Sequence, residues 1–389
     1  MHSDLYTTYY EFGRKQLRPS ALQRDQLAHF DENAWSTLHQ TGFFGINIPR
    51  HEGGSGGSLK DSVLAHKALA EGSLDLGYVF SLMVQSGVAP ELFRVFGSEM
   101  QKRDFLQPML HDELRVTVAN SEHQTGTDMR KASAFIDTNK DGLPCVTAHK
   151  AVCTNAPVAD IALISAQNHL TDTFDIYVID TAFGELKNWS NQLTGVRTGV
   201  TGGFFLDAVP MEDIDRRRLG VPGQGTRIMQ FCFDLDRLYL AAMVSGCLYG
   251  LADLAMQNIQ QRAQKNPSFA QHQYVQEKYF RVFSCAEKVD ALLMRLLEQL
   301  PDQLSPDSFK PHRDALAVLK ELICNEAYEA AFGIFELSGF PGFKTDHLIQ
   351  KVLRDLMAFQ FLGGTKELQK NMVFQNRLRL LEQSLLKAS

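Results

Sequence analysis

No window of this chain approaches the roughly 20 uninterrupted apolar residues of a membrane-spanning helix, so no membrane span is expected. The first fifteen residues, MHSDLYTTYYEFGRK, hold no apolar core of the length a signal peptide needs, and the expectation is a cytoplasmic protein. Neither sign of charge dominates. Lys and Arg number 39 against 45 Asp and Glu, and a net charge of −6 offers no global field for nucleic acid or an anionic membrane. The six cysteines (Cys145, Cys153, Cys232, Cys247, Cys285 and Cys324) show no CxxC or other metal-like spacing, which favours buried free thiols over a disulfide framework. None of the twelve histidines falls in an HExxH spacing, and neither a nucleophile elbow nor a P-loop is present. No metal is expected.

What is present is an ordinary globular composition, 44% hydrophobic and 22% charged, over 389 residues, enough for two or three domains. Residues 20 to 45 and 59 to 112 carry apolar side chains at helical spacing, as in Leu64, Ala65, Ala68 and Leu69, with a Gly-Gly-Ser-Gly-Gly break at 53 to 57. From about Val116 to Val209 short alternating or β-branched segments take over, such as Ile161 to Ser165 and Phe174 to Ile179. Helical periodicity returns after Gly225 and persists, interrupted by the proline-bearing loop Pro301 to Pro311. Three regions are therefore expected: helices over 1–114, a β domain over 115–225 and an antiparallel helical bundle over 226–389.

Several landmarks stand in one order along the chain: GFFGINIPRHEGGSGG from Gly42, GSEMQK from Gly97, SEHQTGTD from Ser121, KAVCTNAPVAD from Lys150, Arg262 followed by Gln273 and Gln276, ELSGFPG from Glu336, and LRDLMAFQFLGGTKEL from Leu353. In this order they resemble the acyl-CoA dehydrogenase family over nearly the whole chain. The resemblance implies an α+β fold with an N-terminal helical domain, a central β-barrel-like domain and a C-terminal four-helix bundle, assembled as a homodimer or homotetramer around FAD. It places Ser121 by the flavin pyrimidine, Thr127 by the flavin or the substrate's pantetheine arm, and Thr154 close to flavin N5. Arg262, with Gln273, is implied to reach the FAD pyrophosphate of a neighbouring subunit. Glu336 and Gly339 fall where the backbone approaches the adenosine end. Gly364, Thr365 and Glu367 fall at the cofactor, and Arg237 and Gly363 by the substrate. A flavin held this way is tuned by nearby hydrogen-bond donors while itself supplying the redox chemistry.

In one large branch of that family a glutamate just before Gly-Thr takes the substrate's α-proton, and here that position is Gly363. A second branch carries its base on the first bundle helix, in a pattern like L-D-x-E-R. Phe233-Asp234-Leu235-Asp236-Arg237 fits this pattern with Asp236 as the base. Asp234 reads as a charge favourable to a helix N-terminus. The leading reading is dehydrogenation of an acyl thioester, carried on CoA or a carrier protein, with an electron-transfer flavoprotein or oxygen as acceptor. A flavin monooxygenase of the same fold, needing no such base, and a binding protein without turnover are the alternatives.

Overall fold

The computed structural model describes residues 2–123, 132–188 and 192–388. The N-terminal helices are α1 (His2–Phe12), α2 (Ala21–Leu27), α3 (Glu32–Gln40), α4 (Leu59–Ser73), α5 (Leu76–Met83), α6 (Ala89–Phe96), α7 (Glu99–Gln101) and α8 (Gln107–Leu110). Local chemistry sets their starts. Ser58 caps α4 by accepting from the Asp61 amide, while Asp61 accepts in return from the Ser58 amide, a reciprocal box that satisfies two otherwise orphaned donors. Between α5 and α6 the chain makes one π-helical turn, Val84–Val88.

Among the described residues eight strands follow: β1 (Val116–Ala119), β2 (Phe135–Thr138), β3 (Pro144–Thr154), β4 (Ile161–Asn168), β5 (Thr173–Asp180), β6 (Glu185–Asn188), β7 (Thr201–Pro210) and β8 (Arg218–Leu219). They form one sheet in the order β6-β7-β3-β2-β4-β5-β8, with β1 parallel to β4. β4 shows why this sheet needs cover on both faces. Ile161 and Leu163 join the core shared with the helices, whereas Ala162, Ile164 and Ala166 point the other way into a second core with Ile136, Val146 and Phe204. A register shift between Lys150 and Cys153 bulges β3, and at the bulge Val152 takes φ +54°, a backbone region β-branched residues rarely enter.

After the short α9 (Ile214–Arg217) come the long helices α10 (Gly225–Lys265), α11 (Gln273–Gln299), α12 (Arg313–Ser338), α13 (Leu348–Ala358) and α14 (Lys366–Ala388). α10 crosses α4 so closely that a Cβ on Gly246 would stand 2.1 Å from the Lys67 carbonyl oxygen, which is why glycine occupies that position. An 18-residue window of α10 has a mean hydropathy of 1.5, so by length and composition this helix could cross a membrane, unlike the sequence-based expectation. In the folded chain 83% of that window is buried inside the protein, where the apolar surface forms core instead. All six cysteines are buried and free.

Candidate active site

A cavity of about 390 Å³ opens where α5, the π-helical turn, β1, β3, α10 and the turn before α14 meet. Phe80, Met83, Val84 and Val88 make one apolar wall. Ser121 and Thr154 bring hydroxyls, and Asp236, Arg237, Gly363, Gly364 and Thr365 complete the opposite side. Seven of the residues singled out from the sequence thus share one cavity.

Each wall is anchored away from the cavity. Glu122, beside Ser121, accepts from the Lys150 ammonium at 2.8 Å and from the Ser133 amide at 2.6 Å, a buried pairing that ties the Ser121 segment to β3. The Ala151 amide donates to the Ser121 carbonyl at 2.8 Å. Thr127 lies outside the described residues. In the signature Leu353 to Leu368, Arg354 pairs with Asp25 on α2, and Asp355 accepts from the Val196 amide at 2.7 Å and from Lys351 on its own helix. The Arg-Asp pair therefore fixes α13 to the rest of the fold and leaves the chemistry to the turn that follows.

That turn is gripped by its carbonyls. Lys320 Nζ, fully buried on α12, donates to the Phe359 carbonyl at 2.7 Å; Arg237 Nε donates to the Gly363 carbonyl at 3.2 Å; Gln369 Nε2 reaches the Gly363 and Gly364 carbonyls at 3.2 and 3.3 Å. Gly363 has φ +67°, and a Cβ built there would lie 2.9 Å from Leu240 Cδ1, 3.2 Å from Asp236 Oδ2 and 3.4 Å from Lys320 Cε. A side chain from position 363 and the carboxylate of Asp236 thus compete for the same point in the cavity wall.

Asp234 and Asp236 differ sharply, although both sit well inside α10 rather than at its first turn. Asp234 is buried and accepts from Arg237 at 3.0 Å and from Arg313 at 2.7 Å, so the helix-terminus role expected from sequence gives way to a buried ion-pair cluster. Asp236 lines the cavity, and among the described residues no hydrogen bond or ion pair reaches its carboxylate. Burial pushes that carboxyl up to about 6, against the partly offsetting charges of Arg237 and Lys320. Arg237 is turned to Asp234 and the Gly363 carbonyl, an arrangement that positions the turn.

The remaining sequence-derived residues lie elsewhere. Glu367 is exposed in the first turn of α14, and hydrogen bonds from its own amide and from Thr365, together with nearby lysines, hold its carboxyl down. Arg262 is near the far end of α10, roughly 40 Å from Asp236 at about 1.5 Å per residue. Its guanidinium stacks 3.8 Å over the Phe269 ring and donates to the Leu337 carbonyl. Gln273 and Gly339 are exposed, Gly339 with φ +62°. Glu336 is ion-paired to Lys278 on α11, so its negative charge is met by a cation of its own chain.

The cavity has features that suit a flavin ring. Asn120 Oδ1 is buried at the cavity without a hydrogen-bond partner among the described residues, an acceptor costly to leave unsatisfied unless a ligand meets it. Val152 is 56% exposed on the cavity wall although it is apolar and its backbone is strained, which gives a flat apolar ring a surface to cover. Residues that sequence reasoning did not single out complete the site: Asn120, Gln369 and Lys320. Gln369 follows Thr365 by one helical turn and was within reach of the motif, whereas a lysine on a long helix carries no signal that it will be buried.

Known protein families and structures match most of this chain. The family model for the acyl-CoA dehydrogenase N-terminal domain matches residues 1–113, and that for the C-terminal domain matches residues 223–378. The chain is 23% identical over 365 residues to the human mitochondrial very long-chain specific acyl-CoA dehydrogenase, covering 89% of this chain and 53% of that one; the chain spans about half the length of that relative. It is 22% identical to the L-prolyl-[peptidyl-carrier protein] dehydrogenase of Pseudomonas fluorescens, over 91% of this chain and 92% of that one. Among solved structures, an acyl-CoA dehydrogenase from Bacillus anthracis complexed with FAD superposes with a TM-score of 0.89 at 19% identity, covering 98% of this chain and 68% of that one. The two matched regions supply α5, α10 and the Gly-Gly-Thr turn around the cavity, and the chain belongs to the acyl-CoA dehydrogenase family.

Proposed function

We propose that this protein is an FAD-dependent dehydrogenase of acyl thioesters in which Asp236 removes the α-proton. The observation that carries this reading is the convergence of Asp236 and Gly363: the carboxylate on α10 stands where a side chain from the turn would otherwise stand. When bound, FAD supplies the acceptor for a hydride from the β-carbon. Ser121, Thr154 and Asn120 would hold the ring end, and Thr365 and Gly364 the neighbouring wall. Asp236 Oδ2 holds the abstracted proton, and a carboxyl near 6 is suited to that task, ionised at neutral pH yet more basic than an exposed aspartate. The apolar side chains of Phe80, Met83 and Val84 keep water from competing for it.

The family resemblance has Arg262 and Gln273 serve an FAD held mainly by a second copy of the chain, in a dimer or tetramer, and the roughly 40 Å along α10 between Arg262 and Asp236 supports this reading. The exposed rings of Phe280, Phe332, Phe340 and Phe343, on or beside the helices of that same end, provide apolar surface for such a contact. The substrate's carrier is CoA or a carrier protein, the latter in keeping with the Pseudomonas relative.

The purified protein is expected to be yellow and to bleach anaerobically on adding its acyl thioester, with electrons then passing to an electron-transfer flavoprotein or oxygen. Asp236→Asn should keep FAD and lose bleaching. Bleaching that survives this change would remove Asp236 as the base. Turnover that needs only reduced flavin and oxygen would replace dehydrogenation with monooxygenation.

A further inference from the structure

Lys320 is buried completely, yet among the described residues its hydrogen bonds go to the Phe359 carbonyl and to Cys324 Sγ, each at 2.7 Å, and to no carboxylate. A buried ammonium without a bonded counter-ion is expensive unless a negative charge lies near it through space. Its stem reaches the point above Gly363 from one side, and Asp236 Oδ2 reaches the same point from another, at 3.4 and 3.2 Å respectively. The carboxylate and the lysine are therefore neighbours across the turn.

The other charges facing this corner are already committed. On α10, Arg237 is paired to Asp234; from α12, Arg313 donates to the same Asp234. The thiols Cys232 on α10 and Cys324 on α12 are buried and free. The residues that α5, the π-helical turn, β1, β3 and the segment 361–368 contribute to the cavity wall are uncharged. Two guanidiniums thus share one carboxylate; Arg237 still acts on Asp236 through space, and Lys320 is the cation of this corner to which no described carboxylate is bonded.

We propose that Lys320 is the positioning residue for Asp236: its ammonium, locked under the Gly-Gly turn, provides the uncommitted positive charge that keeps the cavity carboxylate available as a base. The role rests on Asp236 being the base, as proposed above. Through the Phe359 carbonyl the same ammonium holds the start of the turn that carries Gly363, so charge and placement come from one side chain.

Two readouts separate charge from packing in the purified FAD-loaded protein. The first is the pH dependence of anaerobic bleaching by an acyl thioester. The second needs no turnover: the difference in urea-unfolding stability with and without the Asp236→Asn change, followed against pH, levels off where Asp236 becomes fully ionised. In Lys320→Met both midpoints should rise by about one pH unit, the lower end of what an opposite charge at close range produces. Bleaching near pH 6 should fall up to tenfold. Lys320→Arg, which keeps the charge, should leave both in place. If Lys320→Met does not fold, Lys320→Gln, which can still donate to the Phe359 carbonyl, takes its place with the same expected shifts. Unmoved midpoints in the uncharged variants, or an equal shift in Lys320→Arg, would overturn the proposal. Should Asp236→Asn still bleach, the base assignment fails, while the stability readout still decides whether Lys320 and Asp236 are coupled.

Discussion

Asp75 is fully buried and Asp236 half-buried at the cavity, yet Arg24, Thr198 and Lys351 all donate to Asp75, while no described residue donates to Asp236. For Asp75, burial by itself would raise the carboxyl, but the Lys351 and Arg24 charges and the hydrogen bonds outweigh it and hold the group at about 2. For Asp236 the balance falls the other way, and burial lifts it to about 6. The first carboxylate is part of the frame: with Lys351 and Asp355 it joins α5 to α13 and so fixes the entry to the Gly-Gly turn. The second is left unsatisfied at a cavity. A half-buried charge at a cavity to which no described residue is bonded is the place to look for chemistry.

Either carboxylate can be made to lose its part. Lys351→Met leaves Asp75 and Asp355 with one fewer cation between them, and the expected cost is about 3–5 kcal/mol of stability, read as a lower urea midpoint. Asp236→Asn should do the reverse. It is expected to slow anaerobic flavin reduction by roughly a hundredfold to ten-thousandfold, the range a positioned general base supplies, while leaving the protein as stable or more stable at pH 7.

Acid separates the two groups further. Because the folded-state value of Asp75 lies below the ordinary 3.8, its stabilising contribution is complete above about 4 and fades as pH falls towards 2, a loss of about 2 kcal/mol. Asp236 has a raised value, so protonation between about 6 and 4 stabilises the folded state. Unfolding followed across these two windows should show a gain of stability in the upper one that Asp236→Asn abolishes, and a loss in the lower one that it leaves intact. Reductive activity should rise with pH through about 6.

The smallest effect is expected at Gly363. Replacing it with alanine puts a Cβ at 2.9 Å from Leu240 and 3.2 Å from the Asp236 carboxylate at φ +67°, a strain of about 1–2 kcal/mol. A lowered melting temperature together with slower bleaching would show that the two positions share space. A change in stability alone would separate them.

Much of the site was legible in the chain because its parts are local motifs. FDLDR, the Gly-Gly-Thr turn and the Ser121 and Lys150 segments are each short, and their order identifies the fold they serve. Roles that depend on distant neighbours were not legible. Asp234 looks like an exposed helix-end charge until Arg313, from another helix, is brought to it. Lys320 looks like a solvated helix lysine until the turn at Phe359 closes over it. Glu336 is an uncompensated negative charge in the sequence until Lys278, from another helix, is placed beside it. In each case the sequence names the charge and the packing chooses its partner.

By itself the sequence determined the periodicities, and with them the helix, strand and helix regions, the cavity's hydroxyls, and two positions where a base belongs in this family, one filled by Gly363 and the other by Asp236. Only the tertiary structure decided that these two positions are a single place. Burial and proximity are properties of residues far apart in the chain: the 3.2 Å between Asp236 Oδ2 and the point a Cβ at position 363 would take, and the desolvation that lifts that carboxyl, exist only once α10, α12 and the turn after α13 are packed together.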